Sequence, residues 1–157
     1  MEQYFIDIAA WPVSRAINES SWIFPLVQAF HLVSLGFLAG SILMVDLRLL
    51  GKGFSKQPTA RVARDARPWL IGSLFAMVVT GVPQFMSLAT KEYDSPYFRW
   101  KMLLLLIALI FTFTVRKLVA YAPDGRFGGG ISKLVALVSI ALWTSVAING
   151  RLIGFFS

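Results

Sequence analysis

Four long apolar stretches constrain the fold of this chain more than any other feature. They lie at about residues 22–48, 69–90, 100–121 and 133–155. A helix needs about 20 mostly apolar residues to cross a bilayer. Within lipid, a helix also satisfies its own backbone hydrogen bonds. The sequence therefore predicts an all-α integral membrane protein, a four-helix up-down bundle that forms one domain over residues 1–157.

Composition excludes several classes of function. The chain is 57% hydrophobic and has no cysteine, which rules out disulfides, thiol catalysis, iron–sulfur clusters and Cys-ligated zinc. Its formal charge of +7 is concentrated between the spans, so lipid headgroups explain it better than nucleic acid does. The sequence shows no Ser–His–Asp set, paired-carboxylate site or phosphate-binding glycine loop, which argues against an enzyme.

The amino-terminal segment, residues 1–20, has the pattern of an amphipathic helix. Gln3, Asp7, Ser14 and Asn18 would share one side, and aromatic and aliphatic residues lie elsewhere. The segment lacks the basic start and continuous apolar core of a signal peptide. We expect it to lie in the membrane interface beside the bundle.

Basic residues predict the orientation of the spans. Two connections are rich in lysine and arginine, and by the positive-inside rule both are cytoplasmic. The amino-terminal segment and the remaining connection are acidic or near neutral. These charges predict a multi-pass protein of the bacterial inner membrane with both termini in the periplasm. The basic residues are Lys52, Lys56, Arg61, Arg64 and Arg67 in one connection and Arg116, Lys117, Arg126 and Lys133 in the other.

The only histidine of the chain, His31, lies inside the first apolar stretch. An ionisable side chain within a membrane is costly, so it is a candidate functional residue. At 1.5 Å per residue it lies about 13 Å from Trp22, in the outer half of the bilayer. Helical spacing places it opposite Gly36 and Gly40, a small-residue pair that permits close helix packing.

Polar residues of the other spans fall at a similar depth or closer to the outer surface. We expect them to converge with His31 in an outward-facing pocket that has the histidine at its floor and cations at its mouth. An alternative is that His31 only hydrogen-bonds a neighbouring helix. The polar residues that we expect to converge with His31 are Thr80, Gln84, Lys101, Asn149 and Arg151.

Such a pocket suits a haem b. His31 would be the metal ligand, Gln28 would accept the proton of its other ring nitrogen, and Gln84 would line the site. The propionates would be held by Arg99, Lys101 or Arg151. The alternative for Arg99 and Lys101 is that they anchor the helix at the membrane surface. The sixth iron position stays open between Met77 or Met86, a histidine from a second protomer, and five-coordinate iron.

Other polar residues of the spans have structural interpretations. Asp46 is expected to pair with Arg48, Arg116 or Lys117 at the cytoplasmic boundary. Gln84 and Asn149 are expected to hydrogen-bond between helices if they do not face a cofactor.

Two segments resemble a known family. HLVSLGFLAGSILMVDLRLL and YFRWKMLLLLIALIF are similar to the first and third helices of the four-helix protoporphyrinogen oxidase family of bacterial membranes. CopD-type copper-resistance proteins share this pattern. The resemblance implies b-type haem, with His31 and Lys101 in the family's histidine and lysine positions. The family's further histidine falls around Thr112 to Thr114, where this chain has none.

These observations lead to two functional hypotheses. In the first, the protein binds haem b, or descends from proteins that do, and serves electron transfer or haem handling. In the second, it is a non-catalytic accessory subunit of a larger membrane complex. Its expected partners are the lipid bilayer and either another membrane protein or a second copy. An ion or metal transporter ranks last, since the spans lack repeated carboxylates and a Met-rich pathway.

Overall fold

The computed structural model describes residues 12, 20–54, 56–87 and 96–156, with side chains as far as residue 152. Its four long helices are each long and apolar enough to cross a membrane, so the chain is a multi-pass, all-α membrane protein, as predicted. The predicted interfacial helix at 1–20 lies almost entirely outside the described residues. The helices are α1 (Ile23–Leu49), α2 (Thr59–Ser87), α3 (Pro96–Ala120) and α4 (Gly128–Phe156).

The start of α2 differs most from the prediction. The helix begins at Thr59, ten residues before the predicted boundary at 69. Its first turns are amphipathic, with Val62, Ala63 and Ala66 buried against the bundle and Arg64 exposed. Such a stretch is not continuously apolar, because one of its faces is charged. The apolar run that predicted the span therefore begins later than the helix does.

Helix α3 is interrupted by a π-helical turn at Thr112–Arg116, which the sequence did not predict. Such turns insert one extra residue per turn and are frequent at functional sites. Both ends of this turn face inward, because Thr112 is 2% exposed and Arg116 is 5% exposed. The π turn therefore carries an arginine into the interior of the bundle.

The four helices do not pack equally around the bundle. Helix α1 packs along α2 and α4, and α3 packs along α4. Helices α2 and α3 meet mainly near their ends, through the stacked rings of Phe85 and Phe98 at 5.3 Å and through the Lys117–Ala120 turn. Between these contacts, the α2–α3 side of the bundle stays open.

The apolar core lies toward the end of the bundle that carries the basic connections. The group of core residues farther from the basic connections comprises Leu38, Ile42 and Leu70. His31 lies seven residues before Leu38, about 10 Å farther along α1. The larger group is formed by Val45, Leu49, Val62, Ala63, Ala66, Val119, Ala120, Val135 and Ala136.

One aspartate, Asp124, makes polar contacts that link the two basic connections. Asp124, between α3 and α4, accepts a hydrogen bond from the backbone N–H of Thr59 at 3.2 Å, at the start of α2. It also pairs with Arg48, at the end of α1, at 3.3 Å. Asp124 thus fixes the ends of three helices relative to one another.

The small-residue pair of α1 is not used for packing within the described chain. A Cβ atom added at Gly36 or Gly40 would meet nothing within 4 Å. Both glycines are exposed, in a shallow groove beside the stacked rings of Phe37 and Trp69. The close-packing face of α1 therefore points away from the other described helices.

Candidate functional site

The imidazole of His31 is held by α2. Its Nδ1 lies 2.8 Å from the Thr80 hydroxyl oxygen, Oγ1. That oxygen also lies 2.7 Å from the carbonyl oxygen of Ala76, to which it donates its only proton. When Thr80 gives this proton to Ala76, it accepts from His31, and the imidazole proton then lies on Nδ1. A neutral ring in this tautomer has an unprotonated Nε2.

The second ring nitrogen is available for a ligand. Within the described part of the chain, no residue hydrogen-bonds Nε2 of His31. The side chain is only half-buried. A neutral imidazole with one nitrogen held by a protein acceptor and the other carrying a lone pair is the form that ligates metals.

The ring of His31 packs directly against Gly81 of α2. A Cβ atom at this position would lie 3.3 Å from Cε1 of His31, closer than ordinary packing. The sequence indicated Gly81 only as part of a kink, and the proton acceptor was expected to be Gln28. Instead, Gln28 is exposed on α1 and Thr80 accepts the proton. Thr80 was recognised for its depth, but only the packing of α1 on α2 reveals its role.

The predicted cations are partly gathered near His31. Lys101 is half-buried on α3, and its Cε lies 3.5 Å from the position of a Cβ added at Gly150 of α4. It is close enough for its charge to act on His31. Arg99 and Arg151 are exposed at the same end of the bundle. The structure therefore brings one of the three predicted cations to the histidine.

The two predicted amides make different contacts from those expected. Gln84 donates to the carbonyl oxygen of Thr80 at 3.1 Å, and Asn149 donates to that of Ser145 at 2.9 Å. Both bonds lie within one helix, so the expectation of interhelical bonds was wrong. Each side chain has an acceptor one turn back, which satisfies it without a partner helix.

The ring of His31 lies between α1 and α2, against Gly81, and within reach of the Lys101 charge on α3. Five crevices among the described residues are lined by other side chains. The described residues also contain no cluster of three or more His, Asp or Glu that could hold a metal ion. One described chain thus offers a single imidazole ligand, with no second histidine beside it.

A second buried polar group lies toward the basic end. Asp46, which is fully buried, pairs with Arg116, one of its three predicted partners, at 2.8 Å. Arg116 also donates to the carbonyl oxygen of Ile42 at 2.9 Å. Ser139 of α4 interacts with the same carboxylate. The Oγ atom of Ser139 and the Oδ2 atom of Asp46 nevertheless lack well-formed hydrogen bonds within the described structure.

Comparison with known proteins places the chain in a family but assigns no activity. Neither a curated protein nor a solved structure matches it. The similarity to haem-binding protoporphyrinogen oxidases and CopD-type proteins therefore stays a hypothesis. A family profile matches residues 21–156, which cover all four helices, and the chain accordingly belongs to DUF6644, a family of unknown function.

Proposed function

We propose that this protein binds haem b through Nε2 of His31, at a site completed by a second copy of the chain, and serves electron transfer or haem handling. The observation that supports the proposal is the geometry of His31, whose Nδ1 pairs with Thr80 while no described residue hydrogen-bonds Nε2. When Thr80 donates its proton to Ala76, the imidazole proton lies on Nδ1 and Nε2 carries the lone pair. The bond to Thr80 by itself also fits the alternative that His31 only joins two helices, so the open Nε2 is the part of this geometry that supports the proposal.

The residues around His31 fit a haem in their donor chemistry. Lys101 supplies a cation near the ring, and Arg99 and Arg151 lie at the same end for the propionates. When bound, haem iron supplies one-electron transfer. Gln28 and Gln84 would line the site, since Gln28 is exposed one turn from His31 and Gln84 is one turn from Thr80.

A second protomer would supply what one chain lacks. Each chain has one histidine, so a second imidazole of this protein can come only from another copy. Met77 is poorly suited as the sixth ligand because it packs against the buried group around Leu38. Two copies facing each other would provide two imidazoles and enclose the cofactor between apolar helices.

The same proposal places the protein in the bacterial inner membrane with both termini in the periplasm. Its support is the charge distribution, because the two connections tied by Asp124 carry most of the basic residues. Fusions of a periplasm-active phosphatase and of a cytoplasm-fluorescent protein to the carboxyl terminus test this orientation. Fluorescence without phosphatase activity would contradict it.

Absorbance spectroscopy tests haem binding. The protein is purified from cells supplied with a haem precursor, and reduced-minus-oxidised spectra are recorded. We expect a Soret band that is lost in His31→Ala. Thr80→Val should weaken haem binding by about 10- to 100-fold, the usual effect of removing the partner of a ligand histidine. Thr144→Val, an exposed threonine of α4, is the matched control and should change nothing. A Soret band unaffected by His31→Ala, or no band in the parent protein, would refute the proposal.

The exposed groove at Gly36 and Gly40 favours a second candidate, the accessory subunit. Small residues on a lipid-facing helix allow another helix to approach closely, and no described helix of this chain does so. Gly36→Leu/Gly40→Leu should then release a stoichiometric membrane partner during co-purification. A partner retained by this variant would count against docking at the groove.

A further inference from the structure

The open side of the bundle holds a crevice that neither proposed function uses. It lies between α2 and α3 near the basic end and has a cavity volume of about 70 Å³. This is several times the roughly 10–15 Å³ that one water molecule requires on a comparable measure. The crevice exists because the two helices meet mainly near their ends.

A buried arginine faces this crevice. Arg116 is 5% exposed and donates through Nε to Asp46 and through Nη2 to the carbonyl oxygen of Ile42. Its remaining nitrogen, Nη1, hydrogen-bonds no residue in the described part of the chain and is not enclosed by protein. Because Arg116 lines the crevice, this donor is available to a molecule inside it. The π-helical turn is what carries the arginine to this position.

The other lining residues define the chemistry of the occupant. Arg67 of α2 and Lys117 of α3 are exposed and line the same crevice, so it carries two cations whose charges Asp46 does not balance. The remaining walls are largely apolar, including Ile71 and Phe113. A crevice with cations and apolar walls on the lipid-facing side of two membrane helices fits a phosphate group attached to acyl chains.

We infer that the crevice between α2 and α3 binds the headgroup phosphate of an anionic phospholipid, held by Arg67, Lys117 and the free nitrogen of Arg116. The phosphate accepts hydrogen bonds from the guanidinium groups, and its acyl chains follow Ile71 and Phe113 along the membrane. The basic connections adjoin this end of the bundle, and clusters of basic residues beside membrane helices attract anionic lipids.

Native mass spectrometry tests the site. The purified full-length protein in detergent is titrated with phosphatidylglycerol or with phosphatidylcholine, and retained lipids are counted. We expect one tightly held phosphatidylglycerol and no equivalent phosphatidylcholine. Each cation near an anionic lipid contributes roughly fivefold in affinity, so Arg67→Gln/Lys117→Gln should weaken this binding by about 25- to 30-fold. Ile71→Trp, which narrows the crevice without changing charge, should also weaken it.

The matched control removes the same amount of charge from the same end of the bundle. Arg61→Gln/Arg64→Gln neutralises two exposed arginines that do not line the crevice, and should leave the tightly held lipid in place. Equal losses in both double variants, or equal retention of the two lipids, would overturn the inference. Displacement of the lipid by millimolar inorganic phosphate would show that the site takes a free anion instead, and would overturn it too.

Discussion

The buried pair of Asp46 and Arg116 allows a quantitative test of how the interior is held together. Both groups are almost completely removed from lipid and water, and Arg116 makes two hydrogen bonds, one to the carboxylate and one to the Ile42 carbonyl. Asp46→Leu leaves the guanidinium with one neutral partner, and Arg116→Met leaves a buried carboxylate. Breaking such a pair by removing one member costs about 3–5 kcal/mol.

The double variant separates the pair from its parts. Asp46→Leu/Arg116→Met removes both charges and fills the space with apolar atoms, so we expect a free energy of unfolding within about 2 kcal/mol of the parent. The two substitutions should therefore be coupled by at least about 4 kcal/mol, because their single costs sum to at least about 6 kcal/mol. Arg48→Gln, which breaks the more exposed pair with Asp124, is the control and should cost no more than about 1 kcal/mol.

Reversible unfolding in mixed detergent micelles, followed by circular dichroism, measures all four variants. The reasoning fails if the double variant costs the sum of the single substitutions, because the two charges would then act independently. It also fails if the buried pair costs no more than the Arg48 control.

Three further changes follow from the packing. Gly81→Ala should push the His31 ring by a few tenths of an ångström and weaken its bond to Thr80; the ¹⁵N shifts of the only histidine report this as a mixture of tautomers, and unchanged shifts would contradict it. Trp143→Phe removes the ring N–H that donates to the Thr112 hydroxyl at 3.0 Å, and should cost about 0.5–1.5 kcal/mol in the same unfolding assay. Gly40→Ala, where an added Cβ meets nothing, should change the stability of the monomer by less than about 0.5 kcal/mol; a larger loss would show that α1 packs more closely than the structure indicates.

The number and type of helices followed from the sequence because the requirement is local. A stretch such as 22–48 must be helical wherever it crosses lipid, whatever lies beside it. The boundaries were less accurate where helices leave the lipid. Helix α2 begins ten residues before its predicted boundary, on an amphipathic stretch. The π turn at Thr112–Arg116 has no recognisable pattern in the sequence.

The importance of His31 and of Asp46 was also evident from the sequence, since ionisable residues are expensive in a membrane. Only the tertiary structure decided their partners. Thr80 is 49 residues from His31, and Arg116 is 70 residues from Asp46. Such pairs depend on the rotation and register of each helix, which are set by packing over the whole bundle rather than by any one segment. For the same reason the exposure of Gly36 and the crevice at Arg116 could be found only once the helices were assembled.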